Sequence, residues 1–326
     1  MTLYRRLRRR LQGAPSPSSH IFTFTAYRRA AEQAHHLVRF FYLFVLYQFT
    51  LTSIHLWRQA SNAGAIEPLW PVFWVEFLPR PAAFAIAICI ALAAGLAGLL
   101  ATEQRLARVM VFVGYLLLNG LQNSFGKINH GDHAMIAVAF VLIWLPHQPA
   151  SGNRNSVTHT HLYLSVFGAA QVMVGLFYTM SGLWKVYVGA QQLLVGEINT
   201  FHPYALATLV AFRLLQTGQE SILGWLIVAN PLVGWPLHMG ALYLELGALM
   251  AAFRPPLHRI WGVGLLLFHL ATWLLMEIPF LPSMVLMGLF FVQSPLAPAT
   301  FDWRAVLPLL PGLGIFVSGV ARRAGA

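Results

Sequence analysis

Lys185 closes an apolar stretch that begins at Leu162, and Tyr178 and Gln171 precede it at successive intervals of seven residues. In an α-helix that interval returns the side chains to one face. Gly168, Gly175, Gly182 and Gly189 repeat at the same interval, three residues out of step with the polar set, so both sets share one seam. Small residues on such a seam let a second helix approach closely. Packing accounts for the glycines but not for an amine, a phenol and a carboxamide, whose chemistry is proton transfer and hydrogen bonding. Two readings of Lys185 stand at this point: a group turned into a helix bundle, or a closing residue whose four-carbon stem reaches the lipid headgroups.

Other apolar stretches carry polar residues in the same way. Gln48, Thr52, His55 and Gln59 fall on one helical face. Asn119, Gln122 and Asn123 lead into Lys127, Asn129, His130, Asp132 and His133. His238 and Glu245 are seven apart, and His269 lies midway along a later stretch with Trp273 one turn on. Ionisable groups at membrane depth cost roughly 2.5–3.5 kcal/mol each, so they face a cavity or a partner. Most lie toward the same end of their stretches, which predicts a polar cavity opening to the non-cytoplasmic side. His130-Gly131-Asp132-His133 offers metal-ligand types, but a solvated loop with Asp132 capping the next helix explains the residues better, and no metal is expected. Nothing resembles a phosphate-binding glycine loop or a GxSxG elbow.

The elements that must carry these side chains follow from composition. Of the 326 residues, 58% are hydrophobic and 10% are charged, where a soluble domain carries about 25% charge. Crossing the ~30 Å hydrocarbon layer takes about 20 apolar residues in a helix. Residues 40–57, 82–102, 109–126, 162–184 and 260–276 meet that demand most clearly. Residues 232–253 and 278–301 follow, 134–146 is short, and 305–321 is marginal. The expectation is an all-α, polytopic transmembrane bundle of roughly seven to nine spans. A barrel would show alternating segments of about ten residues instead.

Arg5, Arg6, Arg8, Arg9 and Arg10 precede the first span, and Arg28, Arg29 and Arg39 lead into it. Beside a transmembrane helix such a segment orients the chain and touches anionic lipid, so nucleic acid is not an expected partner. The N-terminus is expected to be cytoplasmic, with Arg105, Arg108, Arg154, Arg254 and Arg259 on the same side. Residues 1–34 read as a basic, disordered cytoplasmic tail and 35–326 as one transmembrane domain; no cleavable signal peptide is visible. The lone Cys89 leaves no disulfide framework.

Tyr178-Thr179-Met180-Ser181-Gly182-Leu183-Trp184-Lys185 resembles the small-Gly-x-x-Lys segment of the vitamin K-dependent gamma-carboxylase family and its bacterial relatives, the HTTM (horizontally transferred transmembrane) proteins. Asn129-His130-Gly131-Asp132-His133-Ala134-Met135-Ile136 is similar to that family's Asn/His-rich segment. The run from His238 through Glu245 to Phe253 is similar to its His-Gly-rich helix with a central acid, and Phe268-His269 through Pro295 to its Phe-His helix and following span. The resemblance covers residues 35–300.

It implies a quinol- and O2-dependent carboxylase- or epoxidase-like enzyme in a bacterial inner membrane. Lys185 would be the base toward a reduced, vitamin K hydroquinone-like quinone, and His133 would assist proton transfer. Tyr178, His238, Glu245, His269, Asn129, His130 and His55 would line the quinone site, with O2 and CO2 as co-substrates. The lipophilic quinone would arrive laterally from the bilayer. The resemblance does not extend to the C-terminal extracytoplasmic region with which the family's carboxylases bind protein substrate, so a separate protein or peptide partner is expected. Alternative readings are a non-enzymatic quinone- or lipid-binding subunit, a peptide-maturation factor, and, ranked last for want of repeated halves, a transporter.

Overall fold

The computed structural model describes residues 24–60, 66–126, 128–147, 157–196 and 198–312. Among them every regular element is helical, and no strand occurs. In chain order the α-helices are α1 (Phe24–Ala60), α2 (Arg80–Leu100), α3 (Arg105–Asn123), α4 (His133–Leu142), α5 (Val157–Leu194), α6 (Ala205–Thr217), α7 (Gly224–Ala229), α8 (Pro231–Ala252), α9 (His258–Met276), α10 (Leu281–Leu286) and α11 (Trp303–Val306). A π-helical turn, Met287–Val292, continues α10.

Four helical segments are long and apolar enough to cross a bilayer: Ala26–Ala60, Arg80–Leu100, Val157–Leu194 and Pro255–Met276. They contain or nearly coincide with four of the expected spans. Helices α3 and α8 have 19 and 22 residues, which at 1.5 Å per residue is also about the hydrocarbon thickness. Their polar residues set them apart: Arg105, Arg108, Asn119 and Gln122 in one, His238 and Glu245 in the other. Helices α4 and α6 and the segment Leu281–Val292 are apolar but shorter. Helix α1 begins at Phe24, inside the segment expected to be a tail, and Ala34 is already fully buried. Residues 1–23 lie outside the described residues.

The surface carries large apolar side chains throughout, among them Phe40, Leu100, Leu106 and Leu267, each more than half exposed. Exposed apolar side chains in such number are compatible with a membrane-embedded protein. Inside, the main apolar core runs from Ala34 on α1 to Val306 on α11, and a smaller cluster joins α6, α7 and the end of α9. Helix α2 meets its neighbours through the buried stripe Ala83, Ala87, Ala91 and Ala94. Arg108 is 1% exposed, and its guanidinium donates to the carbonyls of Thr102, Glu103, Ile143 and Leu145. It thereby ties the ends of α2 and α4, where backbone oxygens have no helical partner.

The contact that positions the polar seam lies between α5 and α8. A Cβ on Gly175 would stand 2.9 Å from the carbonyl oxygen of Ala248, and one on Gly182 would stand 3.1 Å from the backbone nitrogen of Leu246. As α5 climbs from 175 to 182, its contacts descend α8 from 252 to 245, so the helices are antiparallel and touch backbone to backbone.

Candidate functional site

The seam delivers its polar residues to α8 and α9. Lys185 Nζ donates to both carboxylate oxygens of Glu245, at 2.5 and 2.6 Å. Glu245 is 3% exposed in its side chain and Lys185 36%, so the carboxylate belongs to the interior and the amine to its edge. Of the two readings of Lys185, the inward one holds: an interior carboxylate draws the amine in. Ser181 also donates to Glu245, at 3.4 Å. The acid is held in place by its backbone. Thr179 Oγ1 reaches the carbonyls of Glu245 and Leu246 and accepts from Leu249 N at 3.0 Å. On the other side, Trp261 Nε1 of α9 donates to Leu244 O at 2.8 Å.

Two turns of α5 before Lys185, the Tyr178 hydroxyl hydrogen-bonds His269 Nε2 of α9 and also reaches Ser283 of α10. The second nitrogen of His269, Nδ1, is buried with no partner. Phe268 and Phe280 pack on this ring, and the Lys185 ammonium lies 5.5 Å from the Phe268 ring centre. His238 sits at the other side of Lys185. It bonds the backbone of Thr200, whose hydroxyl donates to Lys185 O at 3.0 Å, and its Nε2 is also buried without a partner. Lys185, Glu245, Tyr178, His269 and His238 therefore form one cluster.

The remaining predicted residues gather elsewhere. Asn129, His130 and His133 stand at the start of α4, with His130 Nδ1 3.3 Å from His133 Nδ1. Burial, then the neighbouring His130, lowers the pKa of His133. Neither histidine hydrogen-bonds the Lys185 cluster among the described residues. The two groups are linked through α10, which packs on α4 and carries Ser283 to Tyr178. His55 belongs to neither group: it is exposed and pairs with Gln59 at 2.9 Å.

Asp132 departs from its expected role. It occupies the position before α4, yet its side chain makes no capping hydrogen bond. Asp132 instead lines a cleft between α1, α3 and the start of α4. The surrounding face is polar, with Gln48, Thr52, Tyr115, Asn119 and Gln122, and offers the carboxyl neighbours that a solvated loop would not. No grouping of three or more His, Cys, Asp or Glu side chains suited to a metal ion occurs among the described residues.

Sequence reading missed Thr179, Ser283 and Tyr115. Thr179 lies between two seam residues, Ser283 next to a proline in an apolar run, and Tyr115 within a span, so none breaks the pattern around it. Compared with known protein families, with characterised proteins and with solved structures, the chain shows no match.

Proposed function

We propose that the chain is a multi-pass membrane enzyme of the quinol- and O2-dependent, gamma-carboxylase-like kind, in which Lys185 and Glu245 act together as the proton acceptor. The observation that carries this reading is the amine–carboxylate pair set at the close contact of α5 and α8, beside the unpartnered nitrogens of His269 and His238. An ammonium must pass on a proton before it can take one, and Glu245 at 2.5 Å is the acceptor. The neutral amine so formed can then remove a phenolic proton. A reduced quinone, once bound, supplies the reducing equivalents for O2 and the strong base that the family uses to carboxylate glutamate with CO2. His269 Nδ1 and His238 Nε2 offer hydrogen bonds to its polar ends, and Phe268 and Phe280 an apolar wall. His133 assists proton movement from the start of α4, with Asn129 and His130 around it. In this reading α3, α4, α8 and the segment after α9 complete a bundle of seven to nine crossings, with a cytoplasmic N-terminus and the site open to the other side.

The depth of Glu245 also favours a second reading, in which the pair is a clasp between helices in a quinone- or lipid-binding subunit or a peptide-maturation factor. Lys185→Arg separates the two, because arginine keeps the ion pair but does not deprotonate. The purified variant and wild type are given a reduced naphthoquinone, and O2 uptake and quinone epoxide are followed. Epoxide formed by wild type and lost in the arginine variant supports the enzyme. Equal background rates in both leave the clasp.

A further inference from the structure

We propose that the cleft between α1, α3 and the start of α4 binds a compact monovalent cation of the size of Na+, held by the Asp132 carboxylate and the side-chain oxygens of Gln48, Thr52, Tyr115 and Gln122. This site stands apart from the Lys185 cluster and does not depend on what that cluster does. The cleft is partly open and has a volume of about 10 Å³, room for one water-sized species and too little for a quinone or any organic ligand.

The side chains around it are unfinished. Tyr115 is 4% exposed, yet its hydroxyl has no partner. Asn119 has an open Nδ2 whose orientation is fixed through a chain of bonds: Asn129 N donates to Asn123 Oδ1 at 2.7 Å, and Asn123 Nδ2 donates to Asn119 Oδ1 at 2.9 Å. Asn119 therefore turns a donor outward, the group suited to holding a carboxylate oxygen. Buried polar atoms are normally paired, and the open Tyr115 oxygen on this cleft marks a missing occupant.

Charge decides which occupant. Asp132 is the one acidic group on the cleft wall, and among the described residues no cationic side chain lines it. A water would satisfy Tyr115 only beside a protonated Asp132, because an isolated charge in such surroundings is costly, whereas a bound cation lets the acid ionise. A single carboxylate among neutral oxygens matches a monovalent ion, since Ca2+ sites recruit several carboxylate and carbonyl oxygens. Among the described residues no His or Cys lines the cleft, which disfavours the softer transition metals.

The test is thermal unfolding of the purified full chain in detergent, followed by tryptophan fluorescence, with NaCl replacing choline chloride at fixed ionic strength. A ligand that binds only the folded state raises the midpoint in proportion to the logarithm of its concentration above Kd. Wild type should show that rise, Asp132→Asn should have the same midpoint in both salts, and Gln122→Leu should need several-fold more Na+. A wild-type midpoint indifferent to the exchange overturns the proposal in favour of a water beside a protonated Asp132. If Asp132→Asn does not fold, an unchanged Na+ response in Gln122→Leu and Thr52→Val overturns it equally.

Discussion

Lys185 and Glu245 are each half of a charge pair whose inner member is almost wholly withdrawn from solvent. Removing one partner of a buried pair strands the other. Lys185→Ala should therefore lower stability as well as activity, by about 2 kcal/mol, below the usual cost of a broken buried pair because the amine is about one-third exposed. Lys185→Met combined with Glu245→Gln removes both charges. Its chemical-denaturation midpoint should return toward wild type while turnover stays lost, a split that a single substitution cannot give. Asp132 yields a prediction in pH. Burial raises its carboxyl pKa above the ordinary 3.8, so the folded chain holds that proton more tightly than the unfolded one. Its contribution to stability is full below the unfolded pKa and is lost as pH rises through the raised value. In choline buffer, stability should decline across that window in wild type and stay flatter in Asp132→Asn.

At the scale of elements, the antiparallel contact of α5 and α8 is the part most legible in the sequence, because a heptad of glycines has few other uses in an apolar helix. Gly182→Ala places a methyl 3.1 Å from a backbone nitrogen that cannot swing aside. The helices should part, lowering stability by about 1–3 kcal/mol and weakening quinol turnover by opening the Lys185–Glu245 pair. Periodicity revealed which face Lys185 occupies, but its partner lies 60 residues away, a pairing that spacing within one helix does not encode. The turn toward the cleft at Asp132 was illegible for a related reason: an acid before a helix reads locally as a cap, and only α1 and α3 supply the competing polar face. Glu277 ends α9 with φ of 55°, a left-handed conformation that favours glycine. Glu277→Gly should raise the thermal midpoint, being worth about 1 kcal/mol.

For the whole molecule, composition was enough to read the all-helical class with helices long and apolar enough to cross a membrane, whereas the number of crossings was not, since α3 and α8 mix span length with polar content. The structure nevertheless sorts residues by end. Glu67 and Leu69 bond Ser124 at one end; His35 and His147 meet Glu103 at the other. In the proposed topology, which follows the positive-inside rule, the second end is the cytoplasmic one. In a Cys89→Ser background, cysteines at Glu67 and Ile128 should react with a membrane-impermeant thiol reagent in intact cells, and cysteines at Glu103 and Arg254 only after permeabilisation. The reverse pattern would invert the bundle and place the Lys185 cluster near the inner leaflet. The π turn after α10 adds a constraint of another kind. Gln293 N bonds Gly288 O at 3.0 Å across five residues, and beyond it the Gln293 carbonyl receives Gln33 while Ser294 meets the buried His258. An in-frame loss of one codon from 287–292 would hardly alter composition, yet it would rotate everything downstream by about 100° and carry both anchors off their partners. This stretch should therefore accept exchanges of one apolar residue for another far more readily than any change in its length.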